Sequence, residues 1–499
     1  MILQALNRYY ERLIEQQAED VAPAGCSPEK ISFEILLTPD GEVAQVNDIR
    51  DTSGKKPLPR MLNVPQAEKR TVGIKSNLLW DKTSYVLGVS NTSKRADKEH
   101  EAFVELHETV LAGEDDPGLQ ALLSFLRGWS PEQFEERGFP ADMVDANLVF
   151  RMVGEQCYLH DRPAAQAVRA RLLAGDAGKE AAASGVVCLV SGEVAPVARL
   201  HPSIKGVWGA QVAGASIVSF NLDAFKSYGK DQGYNAPVSE QAAFAYTTAL
   251  NHLMRPGSPQ RLQLGDATVI IWTEDETPLE KRLAPMLGAP TQDEELKQQV
   301  QDTLHRVARG RWQDDPEFQG VGGVRTYVLG LAPNAARLQM RFWLEDTLGV
   351  LLDRMKEHIR DILLVAPEEA RYIPTFRHIL RETVPKDAKG DARTDGSATK
   401  GLYKLQGDFM RAVLAGHDYP QSLLPLMLDR LRSDGHYTTT RLGLIKGALN
   451  RHARMHGLQT PEIKMALDQD NTEIGYLLGR LFALLERMQE VSRGTGKGG

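Results

Sequence analysis

The sequence contains very little cysteine, only Cys26, Cys157 and Cys188 among 499 residues. The three thiols lie far apart in the chain, and no Cys-x-x-Cys pair is present. A disulfide framework or a zinc ribbon requires several closely spaced cysteines, so the composition disfavours both. We therefore expect a protein of a reducing compartment, the cytoplasm.

Long apolar segments are also absent. No run of about 18 apolar residues occurs, and a membrane-spanning helix is therefore not expected. The N-terminal segment MILQALNRYYERLIEQQAED is interrupted by charges and lacks the cleavage site of a signal peptide. Its apolar residues recur at helical spacing, which predicts an amphipathic helix instead. No membrane partner is expected.

Motifs that mark common catalytic sites are missing. The sequence has no GxxxxGK[ST] phosphate-binding loop, and GVGGVR at 320–325 lacks the last glycine of a dinucleotide-binding fingerprint. The spacing of His452 and His456 suits zinc, but the charges of Arg451 and Arg454 beside them oppose a cation. We therefore expect no metal and no cofactor, and we predict that the protein is not an enzyme.

The pattern of apolar residues predicts an α+β protein. The chain is too long for a single core, so more than one domain is expected. Strand-like and helical segments alternate over residues 1–365, and hairpin turns join several strands, which predicts a mixed, mainly antiparallel α/β portion. From Thr347 onward only helical spacing is found. Residues 366–499 are accordingly predicted to form an all-α C-terminal helical bundle.

Local patterns predict individual elements within this scheme. Hairpins are expected over 31–49 and 324–343, each around a strong turn sequence. Residues 51–70 are expected to be an exposed loop, and residues 98–173 to be mostly helical. Further strands are predicted around 85–87 and at 186–190, 194–199, 214–221 and 267–273.

The stretch 201–254 is the most distinctive part of the sequence. A glycine-rich approach with Lys205 and Gln211 leads to a short apolar segment, an aromatic loop and a helix that starts at Ser239. Glycine and small polar residues allow a polymer backbone to approach closely. A tight structural connection would have the same composition, and the sequence leaves both interpretations open.

Positive charge is concentrated in three regions, although the formal net charge is −7. Residues 371–404 contain eight Lys or Arg against four acids, and residues 430–456 contain six against one. Residues 55–98 are a third basic region. One such run is typical of a solvated face, but three in an acidic protein favour a nucleic-acid backbone that follows a path across the surface.

Five segments resemble the large subunit of the type I-C CRISPR interference complex (Cascade). They span nearly the whole chain in the family's order: GIKSNLLWDKTSYVLGV, HPSIKGVWGAQVAGASIVSFN, SYGKDQGYNAPVSEQAAFAYTTALNHL, TYVLGLAPNAARLQMRFW and YLLGRLFALLERMQE. Members of this family usually continue with more helices where this chain stops at GTGKGG, which implies a truncated C-terminal domain. Met465 is a candidate internal start for a separately made small subunit.

The resemblance implies a non-catalytic role in a crRNA-guided DNA surveillance complex. The large subunit recognises the short protospacer-adjacent motif (PAM) in duplex DNA, promotes strand opening and guides the displaced strand. In such systems the guide reads the sequence, while protein reads the PAM and the backbone. The implied partners are the crRNA, the target double-stranded DNA, the backbone and crRNA-end subunits, the small subunit and the helicase–nuclease.

PAM reading is predicted on the loop 69–82, with support from residues 205–211. Base edges are read by side chains with paired donors and acceptors, such as Asn77, or by a flexible donor, such as Lys75. An ordinary turn in which Asn77 caps its own backbone is the structural alternative. The predicted PAM-binding residues are Gly73, Ile74, Lys75, Ser76, Asn77, Lys82, Lys205 and Gln211. The predicted phosphate-backbone residues are Lys69, Arg70, Arg377, Arg381, Arg430, Arg441, Lys446 and Arg451.

Two other functional classes remain open at this level. One is a metabolic enzyme that holds a phosphorylated substrate at the glycine-rich loop 205–221. The other is a helical adaptor that binds no nucleic acid. Salt-dependent binding to a PAM-bearing duplex separates both from the surveillance-complex hypothesis.

Overall fold

A computed structural model describes residues 1–16, 18, 21–54, 56–68, 73–314, 316–365, 372–387, 391–392 and 402–492. The chain divides into two compact units. Unit 1 comprises Met1–Pro202 and Val218–His252, and unit 2 comprises Ser203–Ile217 and Leu253–Gly499. Within the described ranges, every helix is too short or too polar to cross a membrane.

Unit 1 contains a four-stranded sheet and a separate two-stranded ribbon. The ribbon pairs β1 (Cys26–Ile31) with β4 (Arg60–Pro65) in antiparallel register. The sheet is formed by β2 (Phe33–Leu37), β3 (Val43–Asp48), β5 (Trp80–Lys82) and β6 (Asn147–Met152), in the order β3-β2-β6-β5. Only the β2–β6 pair is parallel, because the helices between these two strands form the crossover that parallel strands require.

The helices of unit 1 supply most of its remaining core. They are α1 (Ile2–Glu15), α2 (Thr83–Val86), α3 (Ala96–Val110), α4 (Pro117–Gly128), α5 (Gln133–Glu136), α6 (Pro163–Ser184) and α7 (Glu240–Met254), which ends in unit 2. Apolar side chains of α2, α3 and α4 pack with those of β2 and β6. As predicted, α7 begins after Ser239, whose hydroxyl accepts a hydrogen bond from the amide of Ala242.

Several strand predictions for unit 1 were wrong. The hairpin over 31–49 is confirmed, but residues 85–87 follow β5 as part of a helical turn, and the predicted loop 51–70 contains β4. The strand β6 lies inside the region predicted to be mostly helical. Its run Leu148, Val149 and Phe150 is entirely buried, and a short apolar run does not distinguish a buried strand from a buried helix. Residues 186–190 and 194–199 form only isolated bridges.

Unit 2 is built on a second, fully antiparallel sheet. Its strands are β7 (Arg261–Leu264), β8 (Ala267–Thr273), β9 (Arg325–Asn334) and β10 (Arg337–Thr347), in the order β10-β9-β8-β7. All seven residues of β8 are buried, as their apolar pattern predicts, and the β9–β10 hairpin is confirmed. The α+β fold class is therefore correct, with mainly antiparallel strands in both units.

The helices of unit 2 continue to the end of the described chain. They are α8 (Glu280–Met286), α9 (Glu294–Ala308), α10 (Leu348–Ile362), α11 (Phe376–Thr383), α12 (Tyr403–Ala415), α13 (Leu423–Asp434), α14 (Thr439–Met455) and α15 (Ile474–Ser492). One apolar core joins Val269 of β8 to Leu352 of α10, Phe409 of α12 and Leu444 of α14. The core therefore continues across 365/366, where the sequence predicts the boundary between the α/β portion and the helical bundle.

The predicted strand at 214–221 is also absent from the structure. Gly206, Gly209 and Gly214 have φ values of 85°, 75° and 92°, in the left-handed region that glycine favours. Each of them turns the chain, so the segment bends repeatedly and pairs only through isolated bridges at Ala215 and Ser216.

The buried His358 of α10 predicts that unit 2 loses stability in mild acid. Burial, with a smaller contribution from the charge of Arg451, lowers the pKa of His358 to about 3. Below the ordinary histidine pKa of about 6.5, the unfolded chain binds a proton that the folded chain rejects. Between pH 7 and pH 4.5 this residue alone is expected to lower the free energy of unfolding by about 2–3 kcal/mol.

Chemical denaturation at a series of pH values measures this effect. His358→Gln removes the titrating group and is expected to flatten the pH dependence, whatever its effect on stability at pH 7. His305→Gln, at a partly exposed position of α9, is the matched control for the substitution itself. An equally steep loss of stability in the His358→Gln variant would contradict this assignment.

Candidate nucleic-acid interface

The predicted PAM-reading loop is held at its base by buried side chains. Leu79 and Trp80 are buried in unit 1, and the indole Nε1 of Trp80 donates a hydrogen bond to the carbonyl of Pro65 at 2.7 Å. The amide of Leu79, whose φ is +62°, donates to Nε2 of His107 at 2.8 Å. The buried Leu79 and Trp80 therefore anchor this loop to the core of unit 1.

His107 acts as a neutral bridge beneath the loop. Its Nε2 accepts from Leu79, so its Nδ1 carries the proton and donates to the carbonyl of Phe103 at 2.7 Å. Complete burial lowers the pKa of His107 to about 4, which keeps the imidazole neutral near pH 7. The loop therefore leaves the core at a position fixed by a hydrogen bond as well as by packing.

Asn77 has a structural role, and its prediction as a base reader was wrong. The side chain is 3% exposed, and its Oδ1 accepts a hydrogen bond from the amide of Glu68 at 2.9 Å. The backbone amide of Asn77 in turn donates to the carboxylate of Asp81 at 2.9 Å. A buried amide group that already bridges two parts of its own chain cannot reach a base edge. The alternative of an asparagine that caps the local backbone therefore holds.

Other residues of this loop remain accessible. Gly73, Lys75 and Lys82 are exposed, whereas Ile74 and Ser76 are partly buried. The ammonium of Lys75 lies 3.4 Å from the carboxylate of Glu68, and both side chains are about half exposed. An exposed pair of this kind is weak, and a phosphate or a base acceptor can replace the carboxylate. Lys69 and Arg70 lie outside the described residues.

The second predicted loop belongs to unit 2. The bridge between Ile204 and Ala215, with backbone hydrogen bonds of 2.8 and 2.9 Å, closes residues 205–214 into a loop. Lys205 and Gln211 are exposed on it, as the prediction requires. The amide of Trp208 donates to the hydroxyl of Thr268 on β8 at 2.9 Å, which ties the loop to the sheet. The predicted cooperation of this loop with residues 69–82 stays a prediction.

The prediction that Arg441 contacts DNA was wrong, because its side chain is fully buried. Its guanidinium lies 2.9 Å from the carboxylate of Asp434 and 3.2 Å from that of Glu382. It also donates to the carbonyl of Val384 at 3.3 Å. Burial of the Asp434 carboxylate opposes ionisation, but the hydrogen bond and charge of Arg441, together with the hydrogen bonds from the amide of Lys386 and the hydroxyl of Ser433, outweigh it and lower the pKa of Asp434. Arg441 therefore joins α11, α13 and α14 inside unit 2.

Lys446 and Arg451, also on α14, are buried for a similar reason, and their phosphate-binding predictions are corrected as well. The ammonium of Lys446 donates to the carbonyls of Arg360 and Asp361 at the end of α10, at 3.1 and 2.6 Å. Arg451 contacts the carboxylate of Asp361 at 3.2 Å. Burial also lowers the pKa of Lys446. These cations stabilise the packing of helices and present no charge to a surface ligand.

Arg377 and Arg381 retain the properties that the sequence predicts. They lie one turn apart on α11, and both are exposed. Neither side chain makes a hydrogen bond or an ion pair with the residues that the structure describes. The carboxylate of Glu382, next to Arg381, is instead occupied by Lys386 and by the buried Arg441. Two guanidinium groups without a nearby acid partner are suited to phosphate oxygens.

A cleft extends from these two arginines. It has a volume of about 470 Å³ and is bordered by α8, α9 and α11, with Lys297, Tyr372 and His378 in its wall. The Nδ1 of His378 lies 2.9 Å from the hydroxyl of Thr375, and burial, followed by the charges of Arg381 and Arg377, lowers the pKa of His378. The cleft therefore carries its positive charge on the two arginines near pH 7, since the ammonium of Lys297 pairs with the carboxylate of Glu294 at 2.6 Å. We refer to it as the α11 cleft.

The remaining predicted residue, Arg430, is an intermediate case. Its side chain is largely buried, and its guanidinium pairs with the carboxylate of Asp429 at 2.9 Å.

Two accessible groups were not predicted from the sequence, Lys297 of the α11 cleft and Trp208, which is 50% exposed on the 205–214 loop. Lys297 lies in a helix that begins with acidic residues, so the local sequence is not basic and does not predict an accessible cation there. Exposed aromatic rings stack on nucleic-acid bases, but a sequence does not reveal which ring is exposed.

Comparison with known families identifies the class of protein. A family model described as a CRISPR-associated protein (Cas_Csd1) matches residues 6–497. The chain is thus a CRISPR-associated protein. The match covers nearly its whole length, and the chain belongs to the Cas_Csd1 family. No curated protein matches it. Family membership implies a role in a Cascade-type complex, and it gives no support to the metabolic-enzyme alternative.

The buried position of Arg441 leads to a prediction about stability. Arg441→Met leaves the Asp434 carboxylate buried without its cation, which is expected to lower the free energy of unfolding by about 3–5 kcal/mol. Arg411→Met is the control, because Arg411 is exposed and pairs with Asp408 at 3.3 Å. Its effect should stay within about 0.5 kcal/mol. Urea denaturation compares the two variants.

The same experiment distinguishes the structural role from the original DNA-binding prediction. An Arg441→Met protein that is as stable as the parent but binds DNA less tightly would contradict the structural assignment.

Proposed function

We propose that this protein is the large subunit of a type I-C Cascade complex and recognises the PAM in duplex target DNA. Two findings support this proposal. One is membership of the family, and the other is the resemblance of five segments to that subunit, from GIKSNLLWDKTSYVLGV at 73–89 to YLLGRLFALLERMQE at 476–490. In this role the protein promotes strand opening, guides the displaced strand and helps recruit the helicase–nuclease. It performs no chemistry itself, because the guide and the recruited nuclease supply pairing and cleavage.

The observation that carries the DNA-binding part of this proposal is the α11 cleft. Arg377 and Arg381 are exposed there without an acidic partner among the described residues, in a protein whose formal net charge is −7. Among the described residues of 371–404 and 430–456, most other cations face carboxylates or carbonyls of unit 2. A pair of accessible guanidinium groups in a cleft attracts a phosphate backbone without reading its sequence.

PAM reading is assigned to the loop 73–82, with Lys75 as the principal side chain. Hydrogen bonds at Asn77 and Leu79 fix the base of this loop, and Lys75 projects from its exposed part. A base-reading donor needs such support, because discrimination depends on holding the donor at a defined position in the groove. Lys205 and Gln211, on the loop 205–214, are the alternative readers.

The first prediction concerns the α11 cleft. In the assembled complex, Arg377→Ala combined with Arg381→Ala is expected to lower the salt slope of duplex binding by about 1.8, since each phosphate contact contributes about 0.9. The loss should be equal for PAM-bearing and PAM-free duplexes, because phosphate contacts carry no sequence information. Binding measured over a range of salt concentrations gives the slope.

A matched control comes from unit 1. Arg127 pairs with Glu108 at 2.9 Å and Arg171 pairs with Glu114 at 2.8 Å, and both arginines are exposed, so the double change Arg127→Ala, Arg171→Ala also removes two positive charges, but from neutralised positions. Its salt slope should equal that of the parent. If the double variant of α11 also retains the parent slope, the cleft does not bind DNA and the two arginines belong to a solvated surface.

The second prediction concerns Lys75. Lys75→Ala is expected to reduce the discrimination between PAM and non-PAM duplexes by about 1–3 kcal/mol, while assembly with the crRNA and the other subunits continues. Lys98→Ala, an exposed change on α3, serves as the control and should preserve discrimination. Should the Lys75→Ala complex discriminate as well as the parent, Lys205→Ala and Gln211→Ala become the next variants to compare.

A further inference from the structure

Three side chains that are remote in sequence meet at the end of α14. Oδ2 of Asp418 lies 2.7 Å from Nδ1 of His452 and 3.2 Å from Nε2 of His456. One ligand atom from each of the three residues lies within 4.8 Å of the other two. Among the described residues this is the group of histidines and carboxylates whose geometry suits a metal ion.

The positions of these side chains follow from the local fold. His452 and His456 are four residues apart at the end of α14, so their imidazoles lie on one helix face, with ring centroids 4.3 Å apart. Asp418 belongs to the short connection between α12 and α13. The other carboxylate oxygen of Asp418, Oδ1, accepts a hydrogen bond from the amide of Tyr419 at 2.8 Å. Oδ2 is therefore directed at the two imidazole rings.

The connection that carries Asp418 is itself held in place from both sides. The carbonyl of His417 accepts a hydrogen bond from Nε of Arg451 at 2.7 Å. The buried Tyr419 lies under the guanidinium of Arg451, 4.9 Å from the ring centroid, and its hydroxyl lies 2.6 Å from Nδ1 of His358. Only small side-chain movements are therefore needed for the three ligand atoms to meet an ion.

The sequence disfavours a metal ion at this place because of the charges of Arg451 and Arg454, but in the structure these charges do not face the histidines. Arg451 and Arg454 flank the histidines in sequence, but both guanidinium groups face Asp361 on α10. Arg454 binds that carboxylate with two hydrogen bonds, of 2.9 and 2.8 Å. The neighbouring positive charge is thus partly neutralised and directed away from the imidazoles.

We propose that Asp418, His452 and His456 form a binding site for a transition-metal dication of the zinc class. Two imidazole nitrogens and one carboxylate oxygen are ligands that Zn²⁺ binds in tetrahedral geometry. Three protein ligands leave the fourth position open to water or to an external donor. The hard cations Mg²⁺ and Ca²⁺ prefer sites made of oxygen atoms alone, so they are excluded by the two nitrogens.

Binding has a structural consequence for unit 2. The ion joins the α12–α13 connection to the last turn of α14, across 34 residues of chain between Asp418 and His452. A ligand that binds only the folded chain stabilises it, and the stabilisation grows with the logarithm of the ligand concentration once this exceeds the dissociation constant. The site is separate from the α11 cleft and from the loops assigned to PAM reading, so it adds a structural link that the proposed function does not require.

The test uses the full chain without a polyhistidine tag, freed of metal with a chelator and then dialysed. Titration with Co²⁺ should give a visible absorption spectrum of tetrahedral intensity at one ion per chain, and Zn²⁺ should displace it. Zn²⁺ should also raise the melting temperature of the chain. Mg²⁺ at the same concentration should do neither.

Variants connect the signal to the three residues. His452→Gln combined with His456→Gln should abolish the Co²⁺ spectrum and the Zn²⁺-dependent rise in melting temperature, and Asp418→Asn should weaken Zn²⁺ binding at least tenfold. His417→Gln is the matched control, since His417 is an exposed neighbour outside the cluster. Circular dichroism of each metal-free variant checks that it is folded.

Two results would overturn the proposal. One is a parent chain that gives no Co²⁺ spectrum and no Zn²⁺-dependent shift in melting temperature. The other is a folded double histidine variant that binds one Zn²⁺ as tightly as the parent does.

Discussion

The close crossing of α14 over the end of α10 is the constraint on which the C-terminal helices depend. A Cβ atom at Gly443 would lie 2.1 Å from the carbonyl oxygen of Ile362, so a side chain at this position would force the helices apart. Gly447, one turn later, makes a second close contact with Ile362. At this distance Lys446 reaches the carbonyls that α10 leaves without partners at its C-terminal end.

The same crossing explains why several cations are buried. Arg451 and Arg454 reach the buried carboxylate of Asp361, and Arg441 reaches that of Asp434. Removing charges from water is costly, and the cost is offset only when each charge is paired and hydrogen-bonded, as it is here. The basic residues of α14 therefore bind other parts of the same chain. Under the proposed function, phosphate binding is expected of the cations that this packing leaves outside, chiefly Arg377 and Arg381.

Sequence patterns predicted the features that depend on local periodicity. The alternating run around the turn at 38–41, the fully buried β8 and the helix after Ser239 formed as predicted, because local pattern and tertiary burial agree there. The predictions failed where tertiary pairing decides the outcome. Leu148 to Phe150 became a strand because β2 and β5 flank it, and no local signal records those partners.

The sequence also predicted only part of the candidate site, because local pattern indicates exposure in loops but does not record tertiary partners. Exposure of Lys75, Lys205 and Gln211 follows from their positions in glycine-containing loops. Burial of Asn77 and Arg441 could not be foreseen, because an amide or a guanidinium that binds DNA has the same sequence signature as one that binds its own backbone. The partners that decide between these roles, Glu68 for Asn77 and Asp434 for Arg441, become neighbours only on folding.

The chain presents two kinds of surface, and they suit the two tasks that the proposed function assigns to it. The α11 cleft presents guanidinium groups on an exposed helix face, where long side chains can adjust to a backbone of any sequence. The loop 73–82 has the opposite character, because the buried Leu79 and the bridge to His107 fix its base. Discrimination between bases requires that even a flexible donor such as Lys75 extends from a fixed backbone position, since a loop that follows every base distinguishes none. Affinity and specificity are therefore expected to reside on separate parts of this chain, with different dependence on salt.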